Sequence, residues 1–235
     1  YRGYDSSGLA TVSVSEDGNE TFLSCRKAQG KLVNLAEKVE KQGSLGHLGI
    51  GHTRWATHGK PDEKNAHPQR DEEGEVAVVQ NGIIENHRLL RQSLESSGVR
   101  FSSETDTEVI PHLIAKELKL LELDGGDVGS LMLLEAVQGV LPKLQGAYAL
   151  AVIWKKLPDA LVVARRQAPL LIGFGEGEFL CASDTPAIVG FTRTTLPMED
   201  GEVALLTQLG IEIYNEKGQR QHRSPTLLNG VDHVA

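Results

Sequence analysis

Arg54-Trp55-Ala56-Thr57-His58-Gly59 and, further on, Gln80-Asn81-Gly82-Ile83-Ile84-Glu85-Asn86-His87 are the stretches on which the reading of this chain turns. The first sets a guanidinium, an indole, a hydroxyl and an imidazole on one short loop, delivered by a strand expected over 48–52. The second follows a strand expected over 75–80 and puts the Asn81 amide beside the flexible backbone N–H of Gly82. The pair suits a clamp for a small amino acid and a cradle for an oxyanion. No nucleophile stands where such chemistry needs one.

Working outward, residues 9–15 alternate apolar and small polar side chains and stop at Glu16-Asp17-Gly18-Asn19, a turn. Residues 21–27 read as the returning strand of a hairpin. Leu32, Leu35, Ala36 and Val39 fall at helical spacing within 31–42, closed by Gly43. Residues 59–74 are polar and carry Pro61 and Pro68, so a long loop is expected there, and such loops are often functional. Asn81-Gly82 is by itself also a turn signal. Ile83, Leu90 and Leu94 mark one face of a helix ending at Gly98. Thr105-Asp106-Thr107-Glu108 has the form of a capping box, with Thr105 as N-cap, opening a helix to about residue 121 whose first turn Pro111 bends or blurs. Leu131, Leu134, Val137, Leu141 and Leu144 trace a further amphipathic helix. Strands are expected over 147–154, 160–165, 170–174, 178–182, 202–207 and 210–214, with a hairpin turn at 215–218 leading to a last strand. Many strands with four helices in two groups imply a layered α+β fold, sheets packed together and helices outside.

Composition narrows the classes. The chain has 235 residues, 40% of them apolar, enough for one large or two small domains with a sizeable core. A net charge of −8 with scattered acidic residues argues against a nucleic-acid or anionic-membrane surface. No apolar run has membrane-spanning length and no signal peptide stands at Tyr1. Two cysteines, Cys25 and Cys181, cannot form a disulfide framework and read as buried reduced thiols of a cytoplasmic protein. The chain opens at Tyr1 directly into a strand, as the middle of something longer reads. Residues 223–235, rich in Ser, Pro, Asn, Gly and Asp, read as a linker leaving a domain that occupies 1–222.

Three groups carry the chemistry. Arg54 is a planar fork suited to a carboxylate, although a lone arginine is more often a surface residue or ion pair. Trp55 sits in a polar loop, where an aromatic packs locally or meets a ligand; Thr57 and His58 add polar contacts. The Asn81 side-chain amide and the Gly82 N–H form an oxyanion hole if the pair is more than a turn. Asp106 is either a capping carboxylate or the counter-ion of a substrate ammonium. An arginine for a carboxylate and an aspartate for an ammonium together specify a free α-amino acid. His47, His52, His58 and His67 lack metal-ligand spacing, so no metal is expected. No phosphate-cradling loop, dinucleotide fingerprint or serine elbow is present, and no cofactor is expected.

Tyr1-Arg2-Gly3-Tyr4-Asp5-Ser6-Ser7-Gly8, Gly51-His52-Thr53-Arg54-Trp55-Ala56-Thr57-His58-Gly59, Asn65-Ala66-His67-Pro68, Asn81-Gly82-Ile83-Ile84-Glu85-Asn86 and Ser103-Glu104-Thr105-Asp106-Thr107-Glu108 occur in that order. Over nearly its whole length the chain thereby resembles the glutaminase domain of the glutamine–fructose-6-phosphate aminotransferases, class II glutamine amidotransferases. The resemblance implies an N-terminal-nucleophile hydrolase fold, a four-layer αββα sandwich. It implies that Arg54 holds the α-carboxylate of L-glutamine and Asp106 its α-ammonium, that Thr57 and His58 line the pocket, and that the Trp55 loop closes over glutamine and helps gate an ammonia channel. It also implies that Asn81 and Gly82 form the oxyanion hole and that Arg2 sits near the nucleophile. The family's nucleophile is an N-terminal cysteine whose α-amine acts as base; it is expected to precede Tyr1 and to be absent from this chain. A sugar-phosphate isomerase domain acting on fructose 6-phosphate is expected after the linker, in a homo-oligomeric parent. Gln80 stands where many relatives carry histidine. The alternative reading of the chain is a silent glutamine- or glutamate-binding fragment.

Overall fold

The first two strands, Ser6–Val14 (β1) and Thr21–Gln29 (β2), form the expected hairpin. The computed structural model describes residues 5–42, 46–54, 60 and 62–228. Ala10 and Val12 point from β1 into the interior, and the amphipathic helix Leu32–Gln42 (α1) covers β2 from outside, burying Leu35. Leu48–Arg54 (β3) pairs antiparallel with β1, so Arg54 ends a strand rather than starting a loop. The stretch expected as a long loop contains a single turn of 3-10 helix at Glu63–Asn65 and a short strand, Gln69–Arg70 (β4). That strand bonds to Val76–Gly82 (β5), a tertiary pairing its own two residues do not advertise.

His87–Ser96 (α2), Val109–Leu123 (α3) and Ser130–Val140 (α4) are the next elements. Pro111 lies in the first turn of α3 and is buried; its missing N–H falls among the donors that have no intrahelical partner anyway, so the helix runs on past it. The capping box does not form. Glu108 occupies the N-cap position, and the Thr105 hydroxyl pairs with the Ser103 hydroxyl at 2.9 Å.

The remaining chain is mostly strand: Tyr148–Trp154 (β6), Leu161–Arg166 (β7), Leu171–Gly175 (β8) and Glu178–Ala182 (β9). A short helix, Pro186–Val189 (α5), and the strand Thr194–Pro197 (β10) follow, neither expected from the sequence. Val203–Thr207 (β11), Gly210–Tyr214 (β12), Arg220–Gln221 (β13) and Thr226–Leu227 (β14) complete the order. Residues 223–228, within the stretch read as linker, lie against the domain. Arg223 forks onto the buried Glu202, and β14 pairs with β10.

Three antiparallel sheets result, ordered β2-β1-β3, β14-β10-β8-β9 and β13-β12-β11-β7-β6-β5-β4. The seven-stranded sheet is buried on both faces. Val76, Val78, Leu150, Val152, Val162 and Leu205 pack on α3 and α4. On the reverse face Ala204 and Leu206 meet Leu170, Ile172 and Leu196, while Ala77 and Ile153 meet Ala10, Val12 and Ile50. The layers therefore run helix, sheet, paired sheets, helix. Full burial of one such Val, Leu or Ile contributes about 1.5–3 kcal/mol relative to exposure, so these two interfaces dominate the favourable side of folding.

The two smaller sheets each leave an edge open beside the large one. β3 ends one sheet and β9 ends the other, and both look into one cavity of ≈ 320 Å³ floored by β5 and β6. Unpaired strand edges are sites for adding an extended segment.

Candidate active site

Asn81 and Gly82 continue β5, paired with Ala149 and Tyr148, and are not a hairpin turn. Glycine is required at 82. Its φ is +118°, and a Cβ there would lie 2.0 Å from the Ala147 carbonyl oxygen. Strand alternation sends the Asn81 side chain to the same face as Ala77 and Val79, towards β3. There its Oδ1 lies 2.8 Å from His52 Nε2, leaving Nδ2 with no hydrogen bond to a described residue.

His52 stacks on His67, with ring centroids 4.2 Å apart. The stack depends on Gly8, which pairs with His52 in the sheet. A Cβ on Gly8 would lie 1.8 Å from the His67 carbonyl oxygen, so only glycine lets that backbone approach. His67 Nδ1 accepts the Gln80 N–H at 3.4 Å. Burial holds the His52 imidazole below its ordinary pKa, against the hydrogen bond to Asn81, which works the other way. Burial drives His67 well below, assisted by His52 and the cationic Arg54 and Lys27. Both rings are neutral near pH 7. A neutral His52 facing an amide oxygen must donate from Nε2.

On the other face of β5, Gln80 Oε1 accepts the Thr107 hydroxyl at 2.7 Å, and Asp106 Oδ2 accepts the Ile84 N–H at 2.8 Å. The loop ahead of α3 is thus stitched to the chain on both sides of Asn81-Gly82. Glu108 holds that loop in shape. Its carboxylate accepts the Ser103 N–H at 2.6 Å, the Ser102 N–H at 3.1 Å and His112 Nε2 at 2.7 Å. Burial raises the Glu108 pKa, but the bonds from His112, Ser103 and Ser102 outweigh it and leave the group below its ordinary value.

Arg54 is 3% exposed at the end of β3. Its Nη1 lies 3.4 Å from the Lys60 carbonyl and 3.9 Å from Asp5 Oδ1. The Lys60 carbonyl also accepts Asn65 Nδ2 at 2.8 Å, and Asn65 Oδ1 accepts the Glu104 N–H at 2.8 Å. A continuous polar chain therefore joins Arg54 to the loop bearing Asp106. Trp55, Thr57, His58 and Arg2 lie outside the described residues.

Sequence reasoning singled out Arg54, Asn81, Gly82 and Asp106 but missed what holds them: His52, His67, Asn65, Gln80 and Thr107. The signal available was a set of polar residues inside the same short runs; all but His52 are buried. Neither thiol is poised to react. Cys181 lines the same cavity as His52 and Asn81, but burial pushes it up to about 12, and burial raises Cys25 as well. The attacking species is a thiolate, and both remain protonated at neutral pH. Among the described residues no group of three or more His, Cys, Asp or Glu side chains converges as a metal-binding set. Among them, too, no helix is long and apolar enough to cross a membrane.

The four-layer αββα sandwich is the fold of the N-terminal-nucleophile hydrolases, the class that includes the glutamine amidotransferase domains. The chain belongs to the glutamine amidotransferase domain family, which matches residues 52–190. It is 57% identical over 97% of its length to the glutamine–fructose-6-phosphate aminotransferase (isomerizing) of Thermosynechococcus vestitus, and equally so to that of a Nostoc species. It spans 35% of the length of each of these curated relatives. Among solved structures it is similar to a glutamine phosphoribosylpyrophosphate amidotransferase from B. subtilis complexed with ADP and GMP. That match has a TM-score of 0.72 and 27% identity, covering 93% of this chain and 44% of the other.

Proposed function

We propose that this chain is the glutaminase part of a cytoplasmic glutamine–fructose-6-phosphate aminotransferase, with residues 1–222 as the glutaminase domain and 223–235 leading to a sugar-phosphate isomerase domain in a homo-oligomeric parent. Arg54 takes the α-carboxylate of L-glutamine and Asp106 its α-ammonium. Thr57 and His58 line the pocket, Trp55 closes over it, and Arg2 lies near the nucleophile. That nucleophile is the thiol of an N-terminal cysteine preceding Tyr1, on a strand laid between the open edges of β3 and β9. Its α-amine, with a pKa of about 8, takes the thiol proton. Sulfur attacks the side-chain amide carbon, and the oxygen that gains charge is held by Asn81 Nδ2 and the Gly82 N–H. The returning proton leaves with ammonia, and water hydrolyses the thioester to glutamate. Ammonia passes to fructose 6-phosphate to give glucosamine 6-phosphate.

The observation that supports this reading is the bond from the Ile84 N–H to Asp106 Oδ2, which holds the carboxylate proposed for the ammonium beside the Asn81-Gly82 pair. In the full-length protein, Arg54→Ala is expected to raise the KM for glutamine by about tenfold or more, as loss of a charged hydrogen-bonded contact does. An unchanged KM counts against the clamp. Free ammonia as nitrogen source should bypass the substitution.

A second reading is favoured by the two protonated thiols: a glutamine-binding module without turnover. The N-terminal sequence of the protein from its natural source separates the two. A leading cysteine followed by a further segment that joins Tyr1 supports hydrolysis. A true start at Tyr1, with calorimetric binding of glutamine, supports the silent module.

A further inference from the structure

At the end of the large sheet, on the face turned to the helices, Gly82 pairs with Tyr148. Ala149 pairs with Arg165, so Tyr148 and Arg166 are the next neighbours along the same row. Above them lies a cavity of ≈ 510 Å³ between this row, the end of α4 at Gln138, the following Leu141 and Pro142, and the turn bearing Lys217. It opens on the opposite face of the sheet from the His52–Asn81 cavity.

The donors in this cavity are unspent. Tyr148 is 4% exposed, yet its hydroxyl makes no hydrogen bond to a described residue. Arg166 forms no ion pair or hydrogen bond with a described residue, and neither does the Gln138 amide. The contrast with the adjacent Arg165 is direct: that side chain donates to the Met198 carbonyl at 2.7 Å and lies 3.7 Å from Asp200. The acidic groups near Tyr148 are Asp200 and Glu216. Asp200 is engaged by Arg165 and by the Gln167 N–H, and Glu216 is exposed at the rim beside Lys217. Arg166, Lys217 and the exposed Glu216 are the charged side chains that line the cavity, and Arg166 is the one beside Tyr148 on the sheet. Burial pushes the Tyr148 phenol up to about 12, with Arg166 opposing, so the hydroxyl stays a donor throughout the neutral range.

We propose that this cavity binds a small molecule bearing one oxyanion, a carboxylate or a phosphate monoester, held by the Arg166 guanidinium and the Tyr148 hydroxyl, with its apolar body against Leu141 and Pro142. Arg166 supplies a fork matched to either group, and Gln138 a further donor. The site stands independently of the glutamine reading. Where that reading also holds, the residue that binds the ligand, Tyr148, is the cross-strand partner of Gly82.

The test is titration of this chain, labelled with 15N, with phenyl phosphate and separately with benzoate, followed by NMR. Saturable shifts are expected at the Arg166 side-chain N–H and at the backbone amides of Tyr148 and Arg166. Arg166→Met, which breaks no ion pair of the fold, should weaken binding about tenfold or more, and Tyr148→Phe by roughly two- to tenfold. Tighter binding of phenyl phosphate assigns a phosphate ligand, and tighter binding of benzoate a carboxylate. No saturable shift with either probe, or equal affinity in wild type and Arg166→Met, overturns the proposal. Should Arg166→Met lower the melting temperature, Arg166→Lys decides: it keeps the charge, loses the fork and must still bind less tightly.

Discussion

His52 Nε2 lies 2.8 Å from Asn81 Oδ1, and this bond decides which end of the Asn81 amide faces the cavity. Oxygen is held back against β3, so the NH₂ end is presented. In the proposed reaction that orientation is required, because only the nitrogen end can donate to an oxyanion. His52 is then a positioning residue that never touches glutamine. His52→Ala should lower kcat for glutamine hydrolysis by about 10- to 100-fold, short of the full loss of an oxyanion-hole donor, while the KM changes less than about threefold. His52→Gln, whose amide can still donate to Asn81 Oδ1, should recover part of kcat. Steady-state kinetics on the full-length protein check this. A rise in KM with kcat intact would place His52 in substrate binding instead.

The histidine stack also ties stability to pH. His67 is held well below 6.5 by burial first and neighbouring positive charge second. The folded chain resists the proton that the unfolded chain accepts, so the unfolded state binds more protons as pH falls below its own value. Stability is then full above about pH 6.5 and declines as pH drops towards the folded pKa, by at most about 1.4 kcal/mol per pH unit for each such group. Urea midpoints measured between pH 7.5 and 5 should fall accordingly, and His67→Gln should flatten the slope. An unchanged slope in the variant would remove His67 as its source.

Glu108 is 0% exposed and accepts bonds from Ser102, Ser103 and His112. Glu108→Gln replaces an acceptor oxygen by a donor that faces other donors. The expected loss is about 2–4 kcal/mol, the scale for breaking a buried, hydrogen-bonded charge. Chemical denaturation measures it directly, and a loss below about 0.5 kcal/mol, the ordinary surface value, would mean the loop before α3 is held by something else.

These residues also show how far the sequence could be read. Apolar runs such as 147–154 and 178–182 announce their strands through local pattern, and the first hairpin through its turn. The sequence does not announce β4 or β10, because Gln69–Arg70 and Thr194–Pro197 become strands only through neighbours brought from elsewhere. Asn81-Gly82 carries the signature of a turn, since glycine serves turns and close approach alike; the nearby Ala147 carbonyl decides for the latter. Thr105 and Glu108 have capping-box spacing, but Glu108 is captured by Ser102 and Ser103. In the site, Arg54, Asn81 and Asp106 could be named from residue type and order. Their partners lie 29 residues apart for His52 and Asn81, and 27 for Gln80 and Thr107, so only folding reveals them.

Gly82 offers the sharpest separation of backbone conformation from close packing. Gly82 and Gly98 both have positive φ, at +118° and +96°, and only Gly82 has neighbours that a Cβ would strike. Gly98→Ala should therefore cost only the conformational strain, about 1 kcal/mol. Gly82→Ala adds a Cβ placed 2.0 Å from the Ala147 oxygen, which forces β5 and β6 apart at that point. The expected loss exceeds about 2 kcal/mol. In the full-length protein, glutamine hydrolysis should fall with it, because the displaced backbone carries the Gly82 N–H and swings Asn81 away from His52. Paired denaturation curves for the two variants, with glutamate release for each, provide the check. Equal destabilisation of Gly82→Ala and Gly98→Ala would show that the Ala147 carbonyl yields freely and that this strand end is not the rigid cradle the chemistry needs.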